Sequence, residues 1–276
     1  ESNSLKIYKF NYETNTVETI SDILPNAYSS LPITIFNSTY GEEIFLAYSG
    51  KLQVYNTNTL KHKYNLTPTE SNTIHDFLYT SSGFWVFTDS NNMYVYQRTD
   101  DNLTLIDKKP HFTDFQSSYN YTIFEIENNQ LLVGHKNEAN SILYNLNANG
   151  ILSEVKTVPV SISENGKSNT YYNAIDNFII NFDEKQLFST KTFSDLASFS
   201  QPNFAIGISM NGKNIYGSNN NPSWSVNDDG LQKKEAIIYN RTTQQIQTFT
   251  TKGYPHVIFE NYKGQVVSIS SGMKRE

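Results

Sequence analysis

A short aromatic-plus-amide signature recurs six times along this chain: Phe10-Asn11, Tyr55-Asn56, Tyr96-Gln97, Tyr144-Asn145, Phe188-Ser189 and Tyr239-Asn240. Each copy closes a short run of β-branched or aromatic residues and opens a polar turn that leads into another run, which is how a β-hairpin reads in sequence. The copies are spaced by about 46 residues on average. A period of that length holds one four-stranded antiparallel unit, and units that cannot bury their faces alone must stack on one another. The chain is therefore expected to be one repeat domain over residues 1–276.

Strand signals fill the interval around each signature. Ile33–Phe36 and Glu43–Tyr48 precede Leu52–Tyr55 and Lys61–Leu66, and the same order of four repeats from Ile74, from Tyr121, from Thr170 and from Phe204. The ends hold half-units: Leu5–Phe10 and Thr16–Ile20 read as a third and fourth strand, and Pro255–Glu260 and Gln265–Ser270 as a first and second. Joining the two halves completes a sixth unit and removes the open sheet edges of a linear array. On these runs the chain resembles six-bladed β-propellers. The resemblance covers essentially its whole length and implies an all-β fold of four-stranded antiparallel blades, closed by a composite blade from the N- and C-termini.

Composition agrees with this and removes several functions. Tyr (19) and Phe (17) far outnumber Trp (2) and Met (3), a balance that suits half-buried pleated surfaces. A net charge of −6 with three arginines, Arg98, Arg241 and Arg275, argues against a nucleic-acid partner, because phosphate binding needs a concentrated basic face. No apolar run approaches the roughly 20 residues that cross a bilayer as a helix. The absence of cysteine excludes disulfides and thiolate metal sites. The chain opens on Glu-Ser-Asn-Ser, as a trimmed mature protein would, which points to an exported, monomeric bacterial protein of the periplasm or cell surface, such as a lipoprotein. Five Asn-x-Ser/Thr triplets are coincidental in a sequence this rich in Asn and Thr.

Motifs that suggest chemistry do not complete themselves. Gly207-Ile-Ser-Met-Asn-Gly212-Lys213 carries most of a phosphate-binding loop, but Asn214 stands where Ser or Thr must hold the metal, and Asn-Gly between apolar runs is a hairpin turn. Asn227-Asp228-Asp229-Gly230 resembles a calcium loop, yet Ala236 falls where a bidentate Glu is required. The arginine triad of a sialidase must face a channel, whereas Arg98 and Arg241 fall in outer hairpin turns. No Gly-x-Ser-x-Gly elbow is present. No metal and no cofactor are expected.

Two sets of residues remain as a candidate site. His75 and His256 begin first strands and His135 ends a second strand, so all three fall near one face, with Asp76 and Asp114 available as carboxylates. The long connection Gly217–Lys234 carries Trp224, Asn227, Asp228 and Asp229, an indole amid amides and carboxylates that suits a sugar or peptide. Trp85 lies inside a second strand and is expected in the core. Long connections between blades and after second strands leave on one face, which is the expected binding face. The reading is a non-catalytic binding module for a peptide, glycan or protein partner. The alternative is a hydrolase or lyase acting on a saccharide or peptide through the histidines and carboxylates at the funnel mouth.

Overall fold

A computed structural model describes residues 6–24, 33–48, 50–70, 73–110, 121–127, 129–135, 139–162, 170–174, 177–182, 184–199, 202, 204–218 and 234–271. Among them there are strands and no helix. The chain divides into two compact units, Glu1–His135 with Ser141–Val158, and Lys136–Asn140 with Pro159–Glu276.

The first unit opens with a two-stranded sheet, β1 (Tyr8–Asn11) and β2 (Thr16–Ile20). Three four-stranded antiparallel meanders follow: β3 (Ile33–Ser38), β4 (Gly41–Tyr48), β5 (Lys51–Asn56) and β6 (His62–Leu66); β7 (Asp76–Tyr79), β8 (Trp85–Thr88), β9 (Asn92–Thr99) and β10 (Asn102–Pro110); β11 (Tyr121–Ile126), β12 (Gln130–His135), β13 (Ser141–Leu146) and β14 (Leu152–Val158). The second unit holds β15 (Thr170–Asn173), β16 (Phe178–Asn181), β17 (Gln186–Ser189) and β18 (Asp195–Ser198), then β19 (Phe204–Ile208), β20 (Asn214–Ser218), β21 (Glu235–Asn240) and β22 (Ile246–Thr250), and ends on the pair β23 (Tyr254–Glu260) and β24 (Val266–Ser271). Every run named from the sequence is a strand, including both terminal pairs.

The Tyr/Phe-Asn signature works through its amide. Asn11, Asn56 and Asn240 each turn the side-chain oxygen onto the backbone N–H groups two and three residues on, at 2.8–3.1 Å, and Ser189 does the same with its hydroxyl. This local bond fixes the tight turn between third and fourth strands. Four residues after each of them stands a residue with positive φ: Asn15, Leu60, Gln244 and Phe193. Two copies behave differently. Tyr96-Gln97 and Tyr144-Asn145 lie inside β9 and β13, which run on to Thr99 and Leu146, so the turns fall at Asp100 (φ 54°) and at Asn147, whose side chain takes the N–H groups of Asn149 and Ile151.

Second and third strands are buried on both faces, which is why they read as unbroken apolar runs. In the second meander alternate residues serve opposite neighbours: Trp85, Phe87, Tyr94 and Tyr96 pack with Phe45, Leu52 and Val54 of the first meander, while Val86, Met93 and Val95 pack with Ile123, Leu131 and Val133 of the third. Period-two alternation thus feeds two cores from one sheet. In the second unit Phe178, Ile180 and Leu187 meet Ile208, Ile215 and Tyr239 in the same way. Fourth strands have one sheet neighbour and are largely exposed, β22 over its whole length.

Trp85 is fully buried, as expected, at the centre of an aromatic stack. Its ring centroid lies 4.6 Å from Phe45, 5.2 Å from Tyr79 and 5.6 Å from Phe36, the last edge-on. Gly212 sits at φ 68° in the turn between β19 and β20 and its N–H donates to the Ser209 carbonyl, so the phosphate-loop look-alike is a hairpin turn.

Arg98 departs from the sequence reading. It belongs to β9 and is 8% exposed. Its guanidinium pairs with Glu43 of β4 at 2.8 Å, stacks 4.1 Å over the Tyr40 ring, and donates to the Tyr64 hydroxyl. The strand continues past Tyr96 and carries Arg98 beneath the neighbouring sheet.

Candidate functional site

The residues expected to form the site divide into three cases. Trp224, Asn227, Asp228 and Asp229, and the carboxylate candidate Asp114, lie outside the described residues. For His135 and His256 the backbone is placed and the side chain is outside the described part. His75 and Asp76 are described in full.

Within the first unit the topology does bring two of the expected positions to one end of neighbouring sheets. His75 immediately precedes β7 and is half-buried, and its N–H donates to the Thr88 carbonyl at 2.8 Å. His135 closes β12 opposite Tyr121, the first residue of β11. β7 packs beside β11, and Thr88, paired with Asp76, sends its hydroxyl toward the Asp76 and Tyr121 carbonyls at 3.5 Å. Both histidines therefore belong to the end from which the connection after β12 leaves.

Asp76 has a structural occupation at that end. It is 6% exposed; one carboxylate oxygen accepts from Phe77 N–H at 2.8 Å and the other from Ile123 N–H at 2.8 Å. A carboxylate held by two backbone amides staples β7 to β11, and both oxygens are engaged.

In the second unit the connection carrying Trp224 leaves from Ser218 at the end of β20 and returns through Lys234 to β21. Lys234 Nζ lies 5.6 Å from the Tyr254 ring centroid at the start of β23, and its carbonyl accepts from Thr251 N–H. His256 follows two residues on in β23. The end of β20, the start of β21 and the start of β23 thus share one end of that unit, and the long connection springs from it.

A groove that the sequence reading passed over lies elsewhere in the first unit. It measures about 220 Å³ and is lined by Asp22, Ile23, Leu24, Gln53, Tyr55, Leu60, His62 and Asn65. Strand register assembles it. Gln53 pairs with Asn65 and Tyr55 with His62, and a bulge at Val54/Tyr55 brings His62 and Asn65, three residues apart, to one face of the sheet. His62 Nε2 meets Asn65 Oδ1 at 3.0 Å, the Tyr55 hydroxyl donates to Gln53 Oε1 at 2.7 Å, and the Tyr55 and His62 rings meet edge-on at 5.5 Å. Leu24, Tyr55 and Leu60 form a buried floor. The opposite wall, Asp22–Leu24, is tied to the start of the chain through Ser21, whose hydroxyl accepts from Ile7 N–H at 2.8 Å. Sequence held a signal for the floor: Leu60 takes a positive φ (54°) at a position where two other copies place Asn15 and Gln244 and a third places Phe193, and an apolar residue adopts that conformation where its burial offsets the strain. The groove's polar rim had no signal short of the register itself.

Among the described residues no group of three or more His, Asp or Glu side chains is placed to hold a metal ion, and no helix is long and apolar enough to cross a membrane.

No protein-family model matches the chain, and no curated protein matches it. Solved structures do. The dihydro-heme d1 dehydrogenase NirN in complex with DHE superposes over 100% of this chain at TM-score 0.62 and 11% identity; the chain spans 58% of that protein's length. A candidate 6-phosphogluconolactonase from Bacteroides fragilis superposes over 98% of this chain and 85% of its own at TM-score 0.62 and 14% identity. A protein from Lactobacillus plantarum covers 95% and 83% at TM-score 0.59 and 12% identity. At such identities the likeness concerns the fold, and the first two are of propeller type. Together with the repeated four-stranded meanders it identifies the chain as an all-β protein of β-propeller type.

Proposed function

We propose that this chain is a non-catalytic, six-bladed binding module that takes a peptide, glycan or protein partner at the strand ends from which its long connections leave. The six-blade count rests on five four-stranded sheets plus the two terminal pairs. The observation that carries the binding reading is the state of Asp76. It is the carboxylate expected beside His75 for acid–base work, and both its oxygens are spent on backbone amides of β7 and β11. A general acid or base must reach a substrate proton; a buried carboxylate committed to two N–H donors is a structural part. In the second unit the end of β20 carries the base of the connection with Trp224, where an indole beside amides and carboxylates would anchor a polar ligand.

Glycan and peptide arrays probed with the intact chain and with a chain in which 219–233 is replaced by Asn-Gly test this reading. The expected outcome is a ligand class retained by the intact chain, lost on shortening the loop, and weakened by roughly 2 kcal/mol or more in Trp224→Ala. An unchanged array profile after loop shortening would remove this face from consideration.

A further inference from the structure

We propose that the groove between β5, β6 and the Asp22–Leu24 segment is a second binding site, specific for a single uncharged sugar ring. Its volume, about 220 Å³, is below the roughly 300–1,000 Å³ of sites for drug-sized ligands, which limits the occupant to about one ring. The floor is apolar and the rim polar, and the bonds within the rim fix what each group still offers. The Gln53 oxygen is taken by the Tyr55 hydroxyl, leaving that amide's NH₂ as a donor. An amide oxygen only accepts, so the contact of His62 Nε2 with Asn65 Oδ1 puts the imidazole proton on Nε2. The Asn65 NH₂ is then a second donor and, in that tautomer, Nδ1 an acceptor. Asp22 adds a carboxylate acceptor.

Two amide donors and two acceptors around an apolar floor complement a pyranose, whose hydroxyls donate and accept around a ring with an apolar C–H face. Among the described residues no lysine or arginine lines the groove. With Asp22 on the rim, phosphorylated and uronic sugars are disfavoured, because their charge would go unpaired beside a carboxylate. The site is independent of the long connection proposed above.

The test is an NMR titration that follows the side-chain amides of Gln53 and Asn65. Glucose, galactose, mannose and N-acetylglucosamine serve as neutral probes, with glucose 6-phosphate and glucuronate as charged ones. At least one neutral sugar should shift both amides with a Kd on the order of millimolar, as suits a ligand of one ring, and the charged sugars should not. Asp22→Ala and Asn65→Ala, with unchanged circular dichroism, should each weaken binding by about three- to tenfold. The chain lacking 219–233 should bind the sugar as before. No shift with any neutral sugar, or a shift that survives both substitutions, overturns the proposal. So does binding that disappears with the long connection, which would place the sugar there.

Discussion

Two joints between neighbouring sheets, one in each unit, are solved by opposite means. Between β3–β6 and β7–β10 the contact is made by side chains: the aromatic stack around Trp85, and beside it a charged cluster in which Glu43 and Arg98 have side chains only 1% and 2% exposed. Between β19–β22 and β23 the backbones themselves come together. A Cβ built on Gly207 would lie 1.9 Å from the Ile258 carbonyl oxygen, and both strands carry bulges at that level, at Ala205/Gly207 and Pro255/Val257. Large side chains tolerate partial repacking, whereas a main-chain approach admits no side chain at all. The first joint should be sensitive to charge and the second to volume.

The largest expected effect belongs to the charged joint. Burial alone would push the Glu43 carboxyl up; hydrogen bonds from Arg98, Lys63 and Tyr64, with the Arg98 charge, outweigh it and hold the group below its ordinary 4.5. Glu43→Ala leaves the Arg98 guanidinium buried without its carboxylate and should cost about 3–5 kcal/mol in urea unfolding, Arg98→Ala should cost less because Lys63 still pairs with Glu43, and the pair Glu43→Leu with Arg98→Met should recover most of the larger loss. A double variant as unstable as either single one would mean that the cluster's geometry matters more than its charge balance. Because the folded carboxyl has the lower pKa, its contribution is complete above about pH 4.5 and is lost as pH falls below it. Hydrogen exchange under acid should accordingly rise first in β4 and β9, with β19 and β23 unaffected at the same pH. Simultaneous loosening of both joints would contradict the contrast between them.

A smaller effect is expected at the backbone joint. Gly207→Ala forces β19 away from β23 and should cost about 1–3 kcal/mol, as overpacking does. It should do so at every pH, with faster exchange confined to β19–β20 and β23. Equal loss of protection in the aromatic joint would show that the two regions do not respond separately.

The strands of both joints were legible in the sequence and their chemistry was not. The unbroken apolar run Trp85-Val-Phe names a strand buried on both faces, because a sheet side chain has only two directions and both are apolar here, and Ile215-Tyr216 does the same beside the backbone joint. The Asn56 and Asn240 turns were legible for the same local reason, since the capping bond spans three residues. Arg98 and Glu43 stand 55 residues apart among Thr, Asp and Glu, where each reads as solvent-facing, and only the extra length of β9 brings them together. His62 and Asn65 carried the converse difficulty: three apart, they belong on opposite faces of a regular strand, and the bulge that reverses this leaves no mark in composition. Gly207 was visible as part of a motif, and its purpose lay in the carbonyl of a residue half a hundred positions further on.

One feature common to both units gives the smallest and sharpest test. Ile123-Phe124-Glu125 and Ile258-Phe259-Glu260 stand at the same place in their first strands, 135 residues apart, close to three repeat periods. Glu125 accepts from Ser81 N–H at 2.8 Å and from the Ser81 hydroxyl at 2.6 Å; Glu260 accepts from Met210 N–H at 2.9 Å. Each carboxylate thus latches the first turn of the preceding sheet, whichever way the joint beneath it is built. Glu125→Gln and Glu260→Gln keep the shape and remove the charge. Because the latches lie near the surface, each should cost only about 1 kcal/mol, and the two losses should match within about 0.5 kcal/mol and add in the double variant. Unequal losses would show that the latch depends on the joint it closes, which is side-chain packing of β7–β10 on β11–β14 beneath Glu125 and the backbone approach beneath Glu260.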